Sequence, residues 1–198
     1  MMLGQMPQRK DADGQRTFDG HPVAPHVLLH PHTHFAHRYW DQHGFLQPGD
    51  IVVDATLGNG HDAAFLALAL GRAGGGQLFL IDLQPLALER SQVRVRAALE
   101  EDGWRVDVCA ADEWCATQAS SDSTLIVRWQ LGCHAALLER LQPRSVRLVV
   151  FNLGYLPGGD KEICTQSVST IAALEAARRA IAVGEAPLHL AIESGHCI

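Results

Sequence analysis

From Gly49 onward, short runs of consecutive apolar residues alternate with longer stretches in which apolar positions recur every three or four residues. DIVVDAT (50–56) and QLFLIDL (77–83) are of the first kind, rich in β-formers and too short for helices. HDAAFLALALG (61–71) and PLALERSQVRVRAALEEDG (85–103) are of the second. Gly71 supplies a stop for the first helix; Pro85 sits in the first turn of the other, and Gly103 follows its end. Residues 104–130, WRVDVCAADEWCATQASSDSTLIVRWQ, carry a weaker pattern, that of two short strands around a polar loop. Beyond them the pattern predicts helix HAALLERLQ, strand VRLVVFNLG, helix STIAALEAARRAIAVG and a last strand near LHLAIES. This succession implies right-handed β-α-β crossovers, hence an α/β fold with a doubly wound, mostly parallel sheet and helices on both faces. Ligands of such sheets bind beyond the carboxyl ends of the strands.

Residues 1–35 lack any sustained period and are rich in Pro, Gly and His, which reads as a flexible arm ahead of a domain spanning 36–198. HPVAPHVLLHPHTHFAH gathers His21, His26, His30, His32, His34 and His37. Without a helical His pair and carboxylate in a metal motif, no metal site is expected there.

Composition narrows the picture. A chain of 198 residues with 47% hydrophobic and 19% charged residues is ordinary single-domain material. No apolar run approaches the roughly 18 residues of a membrane span, and the polar N-terminus has no signal-type apolar core, so a cytoplasmic location is expected. The five cysteines lack C-x-x-C spacing, so free thiols are expected. A net charge of −6 argues against a surface wrapped on duplex nucleic acid but leaves room for a single-stranded RNA loop.

The candidate chemistry begins at DATLGNGHD (54–62). Gly58, Gly60 and Ala63 satisfy G-x-G-x-x-A, and Asp82 ends the second strand roughly twenty residues on, where it can accept hydrogen bonds from a ribose diol. The flanking acids change the reading. Asp54 ends the first strand, and Asp62, in the first helical turn, is placed to cap free N–H groups. A diphosphate would compete for those N–H groups and meet like charges, at a cost of about 1–4 kcal/mol each. S-adenosylmethionine carries an ammonium and a sulfonium and no phosphate, and fits better. Thr56 stands where D-x-G-x-G-x-G loops place their first glycine. An NAD-dependent oxidoreductase is the rival reading, and a non-catalytic nucleotide- or RNA-binding module is another.

A second motif, FNLGYLPGGDK (151–161), follows the apolar strand and puts Asn152, Tyr155 and Lys161 beside the same strand ends. With DATLGNGHD, IDLQ (81–84) and STIAALE, it resembles the small class I methyltransferases grouped as rRNA methylases, from about Phe35 to Ile192. Members of that family methylate the aminomethyl group of a tRNA wobble 2-thiouridine. The resemblance implies a Rossmann-like class I methyltransferase using S-adenosylmethionine, with Asp54, Thr56, Gly58, Asn59, Gly60, His61, Asp62, Asp82 and Gln84 around the cofactor. Cys133 and His134 match the family's Ser-His helix start. It also implies a tRNA anticodon loop as partner. For such a reaction Asn152 and the Leu153–Gly154 backbone are expected to orient the acceptor amine, Tyr155 to stack on the uracil, and Asp160 or solvent to take the proton. Lys161 would meet RNA phosphate, whereas Arg178 and Arg179, further off, read more simply as a solvated helix face. The family's pattern continues Gly-His-Pro-Gly-Gly and further strands where this chain reads ESGHCI. Closing strands are therefore expected to be missing, leaving an unpaired edge open to homodimer pairing.

Overall fold

The computed structural model describes residues 44–160, 162–163 and 165–181, together with 9–10, 16–18, 21–22, 37–38 and 40. Three short strands, β1 (Arg9–Lys10), β2 (Arg16–Phe18) and β3 (His21–Pro22), pair antiparallel in chain order. They fall in the stretch read from sequence as an arm, whose remaining residues lie outside the described ones.

The main succession is β4 (Asp50–Asp54), α1 (His61–Arg72), β5 (Gly75–Asp82), α2 (Pro85–Glu101), β6 (Trp104–Ala110), β7 (Glu113–Gln118), β8 (Thr124–Leu131), α3 (His134–Leu138), β9 (Leu148–Val150) and α4 (Ser167–Ala180). Six strands form one sheet in the order β6-β7-β8-β5-β4-β9. Its centre is parallel, with Val52 opposite both Leu78 and Leu148, and Leu80 opposite Trp129. The two faces follow the strand period of two. Val52, Leu78, Leu80, Val127 and Trp129 pack with Leu66 and Leu70 of α1 and Val95 and Leu99 of α2. Val53, Ile81 and Val149 point the other way, onto Leu138 of α3 and the stripe Ala173, Ala176, Ala177 and Ala180 of α4. Small residues at i, i+3, i+4 and i+7 let α4 lie close to the sheet.

Residues 104–131 correct the expectation of two short strands. They make three, β6 antiparallel to β7 and β7 antiparallel to β8, so the sheet is mixed. The cause is a one-sided alternation: Trp104, Trp114, Ala116, Leu125, Val127 and Trp129 are buried, while much of the rest of β6 and β7 meets solvent. Trp114 meets Trp129 edge-on with ring centres 4.8 Å apart, and Arg96 lies over the Trp114 ring. The thiol expectation is corrected too. Cys109 and Cys115 are joined as a disulfide, because the β6–β7 register and the irregularity between Val108 and Ala110 bring their Cα atoms to 6.2 Å. Cys133 is free.

At the other edge, an isolated parallel bridge from Val146 to Ile181 brings the end of α4 beside the start of β9. The strand expected near LHLAIES, and with it the question of missing closing strands, lies outside the described residues.

Candidate active site

Because β4, β5, β8 and β9 run parallel, the loops leaving their carboxyl ends meet at one pole of the sheet, where they line a pocket with the start of α4. The glycine loop is the floor of this site. Gly60 N–H donates to Leu57 O at 2.9 Å, closing the turn, and both Gly58 (φ 53°) and Gly60 (φ 77°) take the left-handed conformation that suits glycine. At Gly60 a side chain is also excluded by contact: an added Cβ would lie 2.5 Å from Ser91 Oγ of α2. Ser91, fully buried, donates to Gly58 O at 3.2 Å.

Asp82 closes the loop electrostatically. One carboxylate oxygen accepts the Gly58 N–H and the other the Gln84 N–H, each at 2.9 Å. One backbone donor of the glycine loop is therefore already bound by a carboxylate.

Asp54 and Asp62 are buried behind this floor. Asp54 Oδ1 accepts the Thr56 N–H at 3.1 Å, and its Oδ2 is buried without a hydrogen-bond partner among the described residues. Burial, then the neighbouring Asp62 charge, holds the Asp54 carboxyl well above the usual carboxylate range. Asp62 does not cap α1, contrary to the expectation from its first-turn position. Its Oδ1 instead accepts from His37 Nε2 at 2.7 Å, and its Oδ2 from Asn152 Nδ2 at 3.5 Å. The His37 ring is held parallel to Phe65, centres 3.9 Å apart. Sequence reading placed His37 only in a histidine cluster; a partner 25 positions away leaves no local signal.

The second motif is tied directly to the first. Asn152 N–H donates to the Thr56 hydroxyl, so Thr56 links the glycine loop to the acceptor strand end. Since Asp62 presents only acceptors, the Asn152 amide must turn its NH2 inward, which points Oδ1 away from Asp62. Both backbone groups of Gly154 are engaged by Thr165: its N–H donates to Thr165 Oγ1 at 2.9 Å and its carbonyl accepts from Thr165 N–H at 3.1 Å. Gly154, expected from sequence to help orient the acceptor amine, thus has both its backbone groups engaged. Tyr155 is 40% exposed on the pocket wall.

Of the residues singled out from sequence, Thr56, Gly58, Asp82, Gln84, His134, Asn152, Gly154 and Tyr155 line the pocket together. Asp54, Asn59, Gly60, His61, Asp62 and Cys133 stand behind or beside that lining. Asp160 is not with them: it is exposed, and its carboxylate accepts the Glu162 N–H in a local turn. Lys161 lies outside the described residues. Arg178 and Arg179 occupy the last turn of α4, whereas Gln166 and Ser169 at its start reach the pocket, and Arg179 pairs with Glu139. These arginines belong to the opposite pole. Ile163, Thr165 and Gln166 are lining residues outside the quoted motifs, and Ser169 opens STIAALE, from which no lining residue was expected.

Burial lowers the pKa of two histidines. At His134 it is opposed by backbone contacts with Ala55, whose carbonyl is 3.2 Å from Nδ1, and with Ser169. Burial, then the Arg94 charge, lowers the pKa of His61.

A parallel-centred sheet with a glycine loop after one strand, an acid after the next and an Asn motif after a third defines a Rossmann-like fold of the class I methyltransferase type. The chain belongs to the rRNA methylase family: the model described as "Putative rRNA methylase" matches residues 78–197. It is 33% identical over 168 residues to the chloroplastic tRNA (mnm(5)s(2)U34)-methyltransferase of Arabidopsis thaliana, a match covering 83% of this chain and 53% of that protein. The chain thus spans about half the length of that relative. Two crystal structures share the fold. A putative rRNA-methylase from Clostridium thermocellum is 29% identical with a TM-score of 0.57, covering 80% of this chain and 70% of that one. An rRNA methylase from Streptococcus thermophilus is 26% identical with a TM-score of 0.53, covering 86% and 74%.

Proposed function

We propose that this protein binds S-adenosylmethionine and transfers its methyl group to RNA, and that the acceptor is the aminomethyl group of a wobble 2-thiouridine in a tRNA anticodon loop. The observation that carries the cofactor choice is the Gly58 N–H bound to Asp82 at 2.9 Å. It takes one backbone donor of the loop away from a diphosphate and puts a negative charge in its place, whereas a cationic, phosphate-free nucleoside loses nothing there. The RNA acceptor rests on the family, and the wobble position on the likeness to the Arabidopsis enzyme.

When bound, the cofactor supplies an electrophilic methyl on a sulfonium. The chain's part is alignment. Asp82 has a further lone pair on each oxygen for ribose hydroxyls while it keeps its two backbone bonds. Asn152 Oδ1, oriented by the Asp62 contact, accepts an N–H of the incoming neutral amine and holds its lone pair in line. Tyr155 offers a ring face to the uracil. With Asp160 engaged in its own turn, the released proton passes to solvent. Holding reactants in a near-attack geometry accounts for most of the acceleration such a site can give.

Incubation with labelled S-adenosylmethionine and total tRNA lacking the modification, followed by nucleoside analysis, tests this. Label is expected in 5-methylaminomethyl-2-thiouridine. Label in a ribosomal RNA base would overturn the acceptor, and no transfer to any RNA would overturn the activity.

A further inference from the structure

One face of α2 does more than cover the sheet. Ala87 and Ser91 are buried on it, and Arg90 and Arg94 flank them. Arg94 Nε donates to Asn59 O at 2.9 Å. Arg90 reaches both motifs at once: its Nη1 donates to Asn59 Oδ1 at 3.2 Å and to Pro157 O at 2.9 Å, and its Nη2 donates to Gly158 O at 3.3 Å.

The turn that receives it is built for close contact. Gly159 N–H donates to Leu156 O at 2.9 Å, closing the turn, and Gly158 has φ 74°. The guanidinium packs against Gly158, where an added Cβ would lie 3.5 Å from Nη2. On the other side, a Cβ at Gly159 would lie 2.9 Å from both Gln84 Oε1 and Leu156. Gln84 also donates from Nε2 to Ile163 O at 3.5 Å. The Pro-Gly-Gly turn is thus gripped between two side chains that both issue from the segment following β5.

We propose that Arg90 is a positioning residue, whose guanidinium latches the Leu156–Gly159 turn of the acceptor motif to Asn59 of the glycine loop and fixes the separation of the two halves of the site. The planar fork serves a side-chain amide and two successive carbonyls from two separate nitrogens, whereas a lysine ammonium would have to reach all three from a single nitrogen. The latch also orients Asn59, whose oxygen is committed to Arg90. Its consequence for turnover rests on the methyl-transfer reading, but the coupling of the two loops does not.

Amide hydrogen exchange of the ligand-free protein reads the coupling directly. Arg90→Met is expected to speed exchange at residues 156–160 by about tenfold or more while β4 and β5 keep their protection, and Arg90→Lys to fall between. In turnover, Arg90→Met lowers kcat about 10–100-fold with the S-adenosylmethionine Kd changed less than about threefold, since a small misplacement suffices. Asn59→Ala added to Arg90→Met costs little more, the non-additivity expected of direct partners. Wild-type exchange at 156–160 in Arg90→Met, full restoration by lysine, or additive losses would overturn the proposal. Should Arg90→Met unfold globally, the exchange and kinetics of Arg90→Lys decide alone. Should the wild type methylate no RNA, the functional reading fails while the exchange comparison still decides the latch.

Discussion

Asp82 commits each carboxylate oxygen to a backbone N–H, so its removal frees two donors and lets the glycine loop relax. Asp82→Ala should weaken S-adenosylmethionine binding by about 10–100-fold, the cost of about 1–3 kcal/mol for groups left unpaired, as calorimetry will read. Asn152→Ala should act differently, lowering kcat about 100-fold with cofactor affinity nearly unchanged, because the proposed reaction sets its side-chain oxygen against the acceptor amine. Equal effects of both variants on both quantities would contradict these roles. Asp54 yields a stability prediction. An acid with a raised folded-state pKa keeps its proton where the unfolded chain has lost it, so its contribution to stability falls as pH rises above the ordinary Asp range. Asp54→Asn retains an oxygen for the Thr56 N–H and cannot ionise. Its stability advantage over wild type should therefore grow as pH rises above the ordinary Asp range near about 4, read as urea midpoints. The depressed His61 and His134 act in the opposite sense, withdrawing stability as pH falls through the histidine range, and cancel in that difference. At this scale the sequence disclosed the residues that carry a motif. Thr56, Gly58, Asp82 and Asn152 were legible because strand ends and glycines mark them. His37 and Arg90 were not, since each acts through a partner 25 or more positions away, and an arginine on a helix's polar stripe looks the same whether it meets water or a loop.

At the level of elements, α2 determines the geometry of the glycine loop. The Ser91 side chain fills the space a Gly60 Cβ would need, so Gly60→Ala meets both a steric clash and an unfavourable φ. It should lower the free energy of unfolding by about 2–4 kcal/mol and weaken cofactor binding together, checked by denaturant titration and calorimetry. Wild-type stability would show that the α2–loop contact is loose. The helices with clear apolar spacing and glycine or proline punctuation were read nearly to their ends: α1 stops one residue past the predicted Gly71, and α2 begins at Pro85 as expected. The β6–β7–β8 region was not. Its strands carry Asp, Glu, Arg and Thr on the solvent side, which dilutes the apolar signal, and only the alternation of Trp104, Trp114 and Trp129 with polar neighbours betrays one buried face.

The whole molecule separates its tasks by pole. The carboxyl ends of the parallel strands gather three acids, the Asn motif and the Arg90 latch. The amino ends carry ion pairs such as Arg147–Asp50 at 2.9 Å, and Arg178 and Arg179 lie at the C-terminal end of α4. The molecule has a net charge of −6, and the proposed RNA substrate would meet a local apolar and hydrogen-bonding mouth, where Leu83, Tyr155 and Ile163 are exposed, in place of a broad basic field. Among the described residues, no helix is long and apolar enough to cross a membrane. The same arrangement decides which nucleotide the acidic pole accepts. The most direct measurement is a calorimetric titration of the full chain with S-adenosylmethionine and, separately, with NAD. Saturable binding of S-adenosylmethionine, weakened in Asp82→Ala, with no heat from NAD is the predicted result. Tighter binding of NAD than of S-adenosylmethionine would contradict it.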